Sequence, residues 1–187
     1  MMLDLFGAPV LPGLAESPDI IDRAEEEMLI RKINEADLTA FRFHGWTGKR
    51  LTTSFGWCYD FDVGRPMEAP PVPGWLAPFR DRAAHFAGLD PELLIQALLI
   101  RYDRGAGIGW HRDRPVYEHI VGISLGEAAE MRFRRRRGHG FERASMPLAP
   151  RAGYHISGPA RYDWEHSIAE MNRPRWSITF RSLSART

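Results

Sequence analysis

Tyr102-Asp103-Arg104-Gly105-Ala106-Gly107-Ile108-Gly109-Trp110-His111-Arg112-Asp113 is the stretch on which the reading of this chain turns. Its chemistry lies in His111 and Asp113, two positions apart. In an extended segment residues i and i+2 project to the same side, so an imidazole and a carboxylate can grip one ion together. A third ligand then has to come from a distant strand, and His166, 53 positions after Asp113, sits just ahead of the last apolar run. Two histidines and one carboxylate form the facial triad that leaves positions open on Fe(II) for a cosubstrate and O₂. A His and an Asp in a surface turn have the same spacing, so the metal reading needs support from elsewhere.

That support comes from Arg175-Trp176-Ser177-Ile178-Thr179-Phe180-Arg181. The even separation puts both guanidinium groups on one face of a strand whose other face carries Trp176, Ile178 and Phe180. A solvated strand has no use for two cations facing inward, whereas a dicarboxylate cosubstrate does.

Around these two segments the chain reads as mostly β. Ile120–Leu125, Glu130–Arg134, Gly153–Ser157 and Trp176–Leu183 are short apolar or alternating runs divided by turn residues, and Leu93–Tyr102 is nearly continuous apolar sequence, the pattern of a buried strand. This spacing predicts an antiparallel sandwich or small barrel behind a helical N-terminal part. The helices are expected over Asp22–Asn34, with Met28, Leu29 and Ile33 on its apolar side, and over Trp75–Ala87, ended by Gly88. Residues 1–20, with Pro9, Pro12 and Pro18, read as an extended lead-in. Residues 41–61 mix aromatic and β-branched residues with glycines, as short strands do. The five prolines between residues 64 and 78 predict a loop.

Length and composition set the frame. At 187 residues the chain is expected to form one domain, 1–187, and 44% hydrophobic with 26% charged residues is ordinary globular composition. The net charge of +1 hides an asymmetry: residues 1–100 carry 9 basic and 15 acidic groups, whereas residues 101–187 carry 16 and 9. All 16 of those cations are arginine, which suits bidentate recognition of carboxylate or phosphate; a GC-rich genome would leave the same bias. Cys58 is the sole cysteine, which excludes an intrachain disulfide and a cysteine-based zinc site. With no basic-then-apolar start and no run near the ~20 apolar residues of a membrane span, the expectation is a monomeric, cytoplasmic protein without a membrane partner.

From roughly residue 41 to Leu183 the sequence resembles the AlkB-like family of Fe(II)- and 2-oxoglutarate-dependent dioxygenases. The resemblance is carried by Tyr102–Asp113, Ser124-Leu125-Gly126, His166 and the Arg-x-x-x-Thr-Phe-Arg of residues 175–181. It implies an α+β, mostly β fold: a double-stranded β-helix (jelly roll) core over 93–183 with N-terminal helices packed on it and a nucleotide-recognition-type lid over 41–65. It implies that His111, Asp113 and His166 bind Fe(II), that Tyr102 touches 2-oxoglutarate, that Arg175 pairs with its distal carboxylate and that Arg181 lies near its iron-side end. The implied activity is oxidative demethylation of N-alkylated bases in single-stranded or damaged DNA or RNA, a repair reaction that consumes O₂ and releases formaldehyde, succinate and CO₂. Trp57 and Tyr59 on the lid would sandwich the base, which must leave its stack. Two positions depart from the family: Ile100 and Ser177 stand where asparagine is frequent. Ile100 cannot hydrogen-bond the cosubstrate, and Ser177 reaches it with a shorter side chain.

Other groups have two readings each. Arg132-Phe133-Arg134-Arg135-Arg136-Arg137 fits phosphate contact and fits a solvated strand end equally. Arg112 and Arg114 alternate away from the ligands, toward solvent or a substrate backbone, and Arg161 is a further candidate for substrate contact. His119 and His155 read as surface or hydrogen-bonded core histidines. Two rival functions stand beside the demethylase: the same oxygenase chemistry on a protein side chain or small molecule, and a non-enzymatic nucleic-acid-binding module.

Overall fold

The computed structural model describes residues 11–43, 46–60 and 64–185. In chain order its elements are β1 (Leu14–Ser17), α1 (Arg23–Glu35), β2 (Thr39–Phe43), β3 (Trp46–Phe55), β4 (Trp57–Asp60), β5 (Arg65–Glu68), α2 (Ala77–Ala87), β6 (Gln96–Tyr102), β7 (Ile108–His111), β8 (Tyr117–Gly126), β9 (Ala129–Arg137), β10 (Gly140–Leu148), β11 (Gly153–Ile156), α3 (Gly158–Tyr162), β12 (Glu165–Ile168) and β13 (Arg175–Leu183). The strands form a seven-stranded sheet in the order β1-β11-β8-β13-β6-β3-β2, a four-stranded sheet in the order β10-β9-β12-β7, and the separate hairpin β4-β5. Every pairing is antiparallel. The result is the mostly β, jelly-roll architecture that the sequence predicts.

Strand alternation divides the core in two. Ile100, Tyr102, Ile120 and Ile156 from the large sheet meet Met131, Phe133 and Met146 from the small one, which places this cluster between the sheets. The opposite face of the large sheet sends Leu99, Val121, Ile123, Leu125, Ile178 and Phe180 against Leu29 and Ile33 of α1 and Phe79 and Ala83 of α2. Helix α1 starts where Asp22 and Glu25 cap each other's backbone N–H groups, and α2 stops at Gly88, whose φ of 68° is the left-handed cap that glycine adopts without steric cost.

The extended lead-in finds a ladder partner at the sheet edge, where β1 pairs with β11. Two expectations need correction. Within the proline-rich stretch 64–78, Arg65–Glu68 is a strand, because Pro66 lies in a two-stranded hairpin where a missing N–H costs little. Of the segment expected to form a lid, β2 and β3 extend the large sheet through β6, and β4-β5 is the part that stands apart. The lead-in's residues 1–10 lie outside the described residues. Among the described residues no helix is long and apolar enough to cross a membrane.

Candidate active site

His111 ends β7 and His166 lies in β12, where the two are direct cross-strand partners. Their rings stand 4.2 Å apart, centroid to centroid, tilted by 57°. Asp113 follows in the extended chain beyond β7, and one donor atom from each of the three residues falls within 4.8 Å of the others. His111 Nδ1 donates to the Gly109 carbonyl at 2.9 Å, which fixes the neutral tautomer and leaves Nε2 with a free lone pair. Burial holds His166 down at about 3, reinforced by the adjacent His111, and burial lowers His111 as well despite the opposing charge of Asp113. Both rings are therefore neutral, as metal ligation requires. Burial pushes the Asp113 carboxyl up, but Arg181, His166, His111 and Arg161 together outweigh it and keep the group well below the usual carboxylate range. Arg181 Nη2 lies 3.1 Å from Asp113 Oδ1, and its Nη1 donates to Gln96 Oε1 at 3.3 Å.

The inward face of β13 carries Arg175, Ser177, Thr179 and Arg181 in alternation. Arg175 is fully buried and donates from Nη2 to Ser124 Oγ at 3.0 Å, yet its Nε and Nη1 are buried with no hydrogen-bond partner. An orphaned guanidinium edge of this kind is costly unless an anion meets it. The Tyr102 ring lies 5.4 Å from the Arg175 guanidinium. Ser177 is buried between Arg175 and Thr179, in register with Ile100 on one side and Ser124 on the other. Two nitrogens and one carboxylate oxygen in reach of one ion, beside a buried arginine with free donors, fit Fe(II) and a dicarboxylate together.

Sequence reasoning assigned no role to three neighbours of Arg175. Ser124 lies in a recognised motif, but its bond to Arg175 depends on strand pairing. Thr179 shares the parity of the two arginines, a signal that was available. Tyr154 is buried, hydrogen-bonds Thr179 and feels the Arg175 charge, while burial pushes its phenol up. It reaches this position by crossing Gly122, where a Cβ would come within 2.0 Å of the Tyr154 ring. Arg50 on β3 is a further addition: burial lowers it, and the charges of Tyr102 and Asp113 oppose that shift.

The substrate side is more open. Trp57 and Tyr59 lie half-buried on β4, and the Arg114 guanidinium stands 4.9 Å over the Tyr59 ring, joining the hairpin to the chain just past Asp113. Burial raises the Tyr117 phenol, and Asp113 and Cys58 add to that against Arg181, so the hairpin and the ligand cluster act on one group. Arg112 reaches outward to the Asp163 carbonyl at 3.5 Å. Arg161 is buried, donates to the Arg114 carbonyl and leaves its Nε unpartnered. His119 and His155 bond each other, Nδ1 to Nε2 at 2.9 Å, away from the ligand cluster.

Residues 27–181 match the model of the 2OG-Fe(II) oxygenase superfamily. The chain belongs to this superfamily. As an oxygenase of this kind it uses Fe(II), 2-oxoglutarate and O₂. It is AlkB-like: it is 26% identical over 184 residues to the Alkylated DNA repair protein ALKBH8 homolog of Arabidopsis thaliana, a match covering 84% of this chain and 51% of that protein. The oxygenase thus spans about half the length of the curated relative it matches. Its fold is shared with OsALKBH1 at a TM-score of 0.74, with 14% identity over 93% of this chain and 98% of that one. A Pseudomonas putida prolyl-4-hydroxylase shares it at a TM-score of 0.64, with 11% identity over 92% and 93% of the two chains.

Proposed function

We propose that this oxygenase removes N-alkyl groups from bases in single-stranded or damaged DNA or RNA. The observation that carries the reading is the seat of Tyr59: an aromatic ring on a hairpin separate from both sheets, stacked on Arg114 one residue past Asp113. An aromatic ring beside an oxygenase site offers a base a surface to stack on once it has left its own stack. The 26% identity to a protein named for alkylated DNA repair supports the same substrate class.

His111, Asp113 and His166 hold the iron, and Tyr102, Ser177, Arg175 and Arg181 hold 2-oxoglutarate. When bound, iron and 2-oxoglutarate supply the O₂ activation that hydroxylates an N-methyl group, yielding succinate and CO₂; the hydroxymethyl group then leaves as formaldehyde. The chain's residues orient and exclude water. Arg175 meets the distal carboxylate from the side of its unpartnered Nη1, and Ser124 and Tyr102 keep its plane fixed. Arg181 compensates the Asp113 charge and leaves Oδ2 on the side of His166, 3.8 Å from Nε2. Trp57 and Tyr59 flank the base and Arg112 serves the substrate strand beside it, while Arg161, buried, holds the Arg114 carbonyl in place beneath that strand.

The test is succinate release with and without a methylated single-stranded oligonucleotide. Stimulation by the oligonucleotide that disappears in His111→Ala is expected. Stimulation by a peptide or small molecule alone would move the same chemistry to another substrate.

A further inference from the structure

The strands that turn His111 and His166 inward also build a basic surface on their outer side. Along β9, Met131 and Phe133 enter the core between the sheets, so Arg132, Arg134 and Arg136 alternate to the outside. In β10, Phe141 pairs with Arg136 and Arg143 with Arg134, and on the other flank Glu165 pairs with Arg134. Four arginines therefore share one face with Phe141 and, on β7, Trp110.

These cations are held by rings more than by carboxylates. Arg134 lies between Trp110 and Phe141, at 4.5 and 4.6 Å from the two centroids, and is the one of the four with an ion pair, to Glu165 at 2.6 Å. Arg132 stands 5.4 Å from Trp110, and Arg136 and Arg143 stand 5.6 and 5.8 Å from Phe141. Among the described residues none of these three has an ion pair, and Arg132 Nε is buried without a hydrogen-bond partner. The neighbouring Arg135 and Arg137, of opposite parity, are matched by Glu142.

A merely solvated sheet face does not account for this arrangement. Arg134 and Arg143 are directly opposed like charges, which weakens a strand pair. Phe141, 38% exposed, keeps its ring at the surface amid three arginines, Arg134, Arg136 and Arg143. Stacking on a ring fixes a guanidinium plane and leaves its N–H edge free to fork onto a phosphate. Rings interleaved with such arginines suit a flexible strand of phosphates and bases. An acidic peptide would use the cations and leave the rings idle.

We infer that the outer face of the four-stranded sheet, Trp110, Arg132, Arg134, Arg136, Phe141 and Arg143, binds the phosphate backbone of the single nucleic-acid strand whose base enters the site. This rests on the demethylase reading and adds to it a second contact, behind the metal ligands, that anchors the strand.

The experiment is fluorescence anisotropy of a labelled unmodified single-stranded oligonucleotide over a series of salt concentrations. The proteins are wild type, a triple variant (Arg132→Gln, Arg136→Gln, Arg143→Gln) and its lysine counterpart (Arg132→Lys, Arg136→Lys, Arg143→Lys). Each phosphate contact on a single strand contributes about 0.7 to the slope of log K against log salt, so the glutamine variant is expected to lose about 2 from that slope and at least about tenfold in affinity. The lysine variant keeps charge without the planar stack, so it is expected to retain the slope and fall between the two in affinity, which also shows that the sheet still folds. Succinate release without substrate stays unchanged in both variants. Unchanged affinity and slope in the glutamine variant overturn this surface, even where wild type demethylates the oligonucleotide. Equal displacement of the oligonucleotide by polyglutamate overturns the nucleic-acid assignment. Slope loss in a protein that leaves methylated bases intact upholds the surface and overturns the demethylase reading instead.

Discussion

Arg181 Nη2 and Asp113 Oδ1 lie 3.1 Å apart, and both side chains are nearly closed to solvent. The pair ties the last strand to the metal-binding carboxylate. Arg181→Met leaves that carboxylate buried among two neutral imidazoles, and breaking a buried pair from one side costs about 3–5 kcal/mol. We expect urea unfolding of the metal-free protein to show a loss of that order. Excess divalent metal should restore much of it, because the ion replaces the lost positive charge; a metal-independent loss would mean that Arg181 acts through packing alone.

Arg175 is the test of the cosubstrate end. Arg175→Lys keeps a cation but not the fork, and a point charge cannot reproduce two donors in one plane. The KM for 2-oxoglutarate should rise at least about tenfold, equivalent to ~1.4 kcal/mol, with iron affinity unchanged. A KM within twofold of wild type would remove Arg175 from the cosubstrate site.

Gly122 makes room for the Tyr154 ring, which feels the Arg175 charge. In Gly122→Ala the new Cβ meets the Tyr154 ring at 2.0 Å, so the ring must shift and release Thr179. Overpacking of this sort costs about 1–3 kcal/mol, visible as a lower melting temperature together with weaker 2-oxoglutarate binding. An unchanged melting temperature and unchanged 2-oxoglutarate binding in Gly122→Ala would show that the ring yields without cost.

Acid should destabilise the metal-free protein early. Burial lowers His111 and holds His166 at about 3, and burial with the charge of His119 holds His155 at about 4, each below the ordinary 6.5. The unfolded chain takes up protons at these rings as pH falls below 6.5 while the folded chain does not, so stability is present above that pH and declines below it. Each such histidine contributes a slope of up to about 1.4 kcal/mol per pH unit. Urea midpoints between pH 7.5 and 5 measure it. Metal affinity should fall less on acidification than at a site of exposed imidazoles, because burial lowers both ligand rings and protons compete with the metal only weakly.

The parts of the site that follow from local alternation were legible in the sequence. His111 with Asp113, and Arg175 with Arg181, needed only the period of a strand, and α1 and α2 followed from the spacing of their apolar residues, whereas α3, five residues long, gave no such period. What depended on pairing between distant strands was hidden. Ser124 and Tyr154 reach Arg175 only because β8, β11 and β13 are neighbours, and β10 was missed because Glu142, Arg143 and Pro147 obscure its alternation. Arg132–Arg137 looked like one basic run, and only the pleat separates the arginines matched by Glu142 from those stacked on Phe141 and Trp110.

Demethylation of a nucleic-acid base at the His111–Asp113–His166 centre has a direct readout. Mass spectrometry of a methylated single-stranded oligonucleotide and a methylated peptide, mixed and incubated with the protein, iron, 2-oxoglutarate and O₂, tests it most directly. The expected result is an oligonucleotide lighter by one methylene group, formaldehyde equal to the succinate coupled to that loss, and no change with His111→Ala. An unchanged oligonucleotide beside an oxidised peptide, or full turnover in His111→Ala, would contradict it.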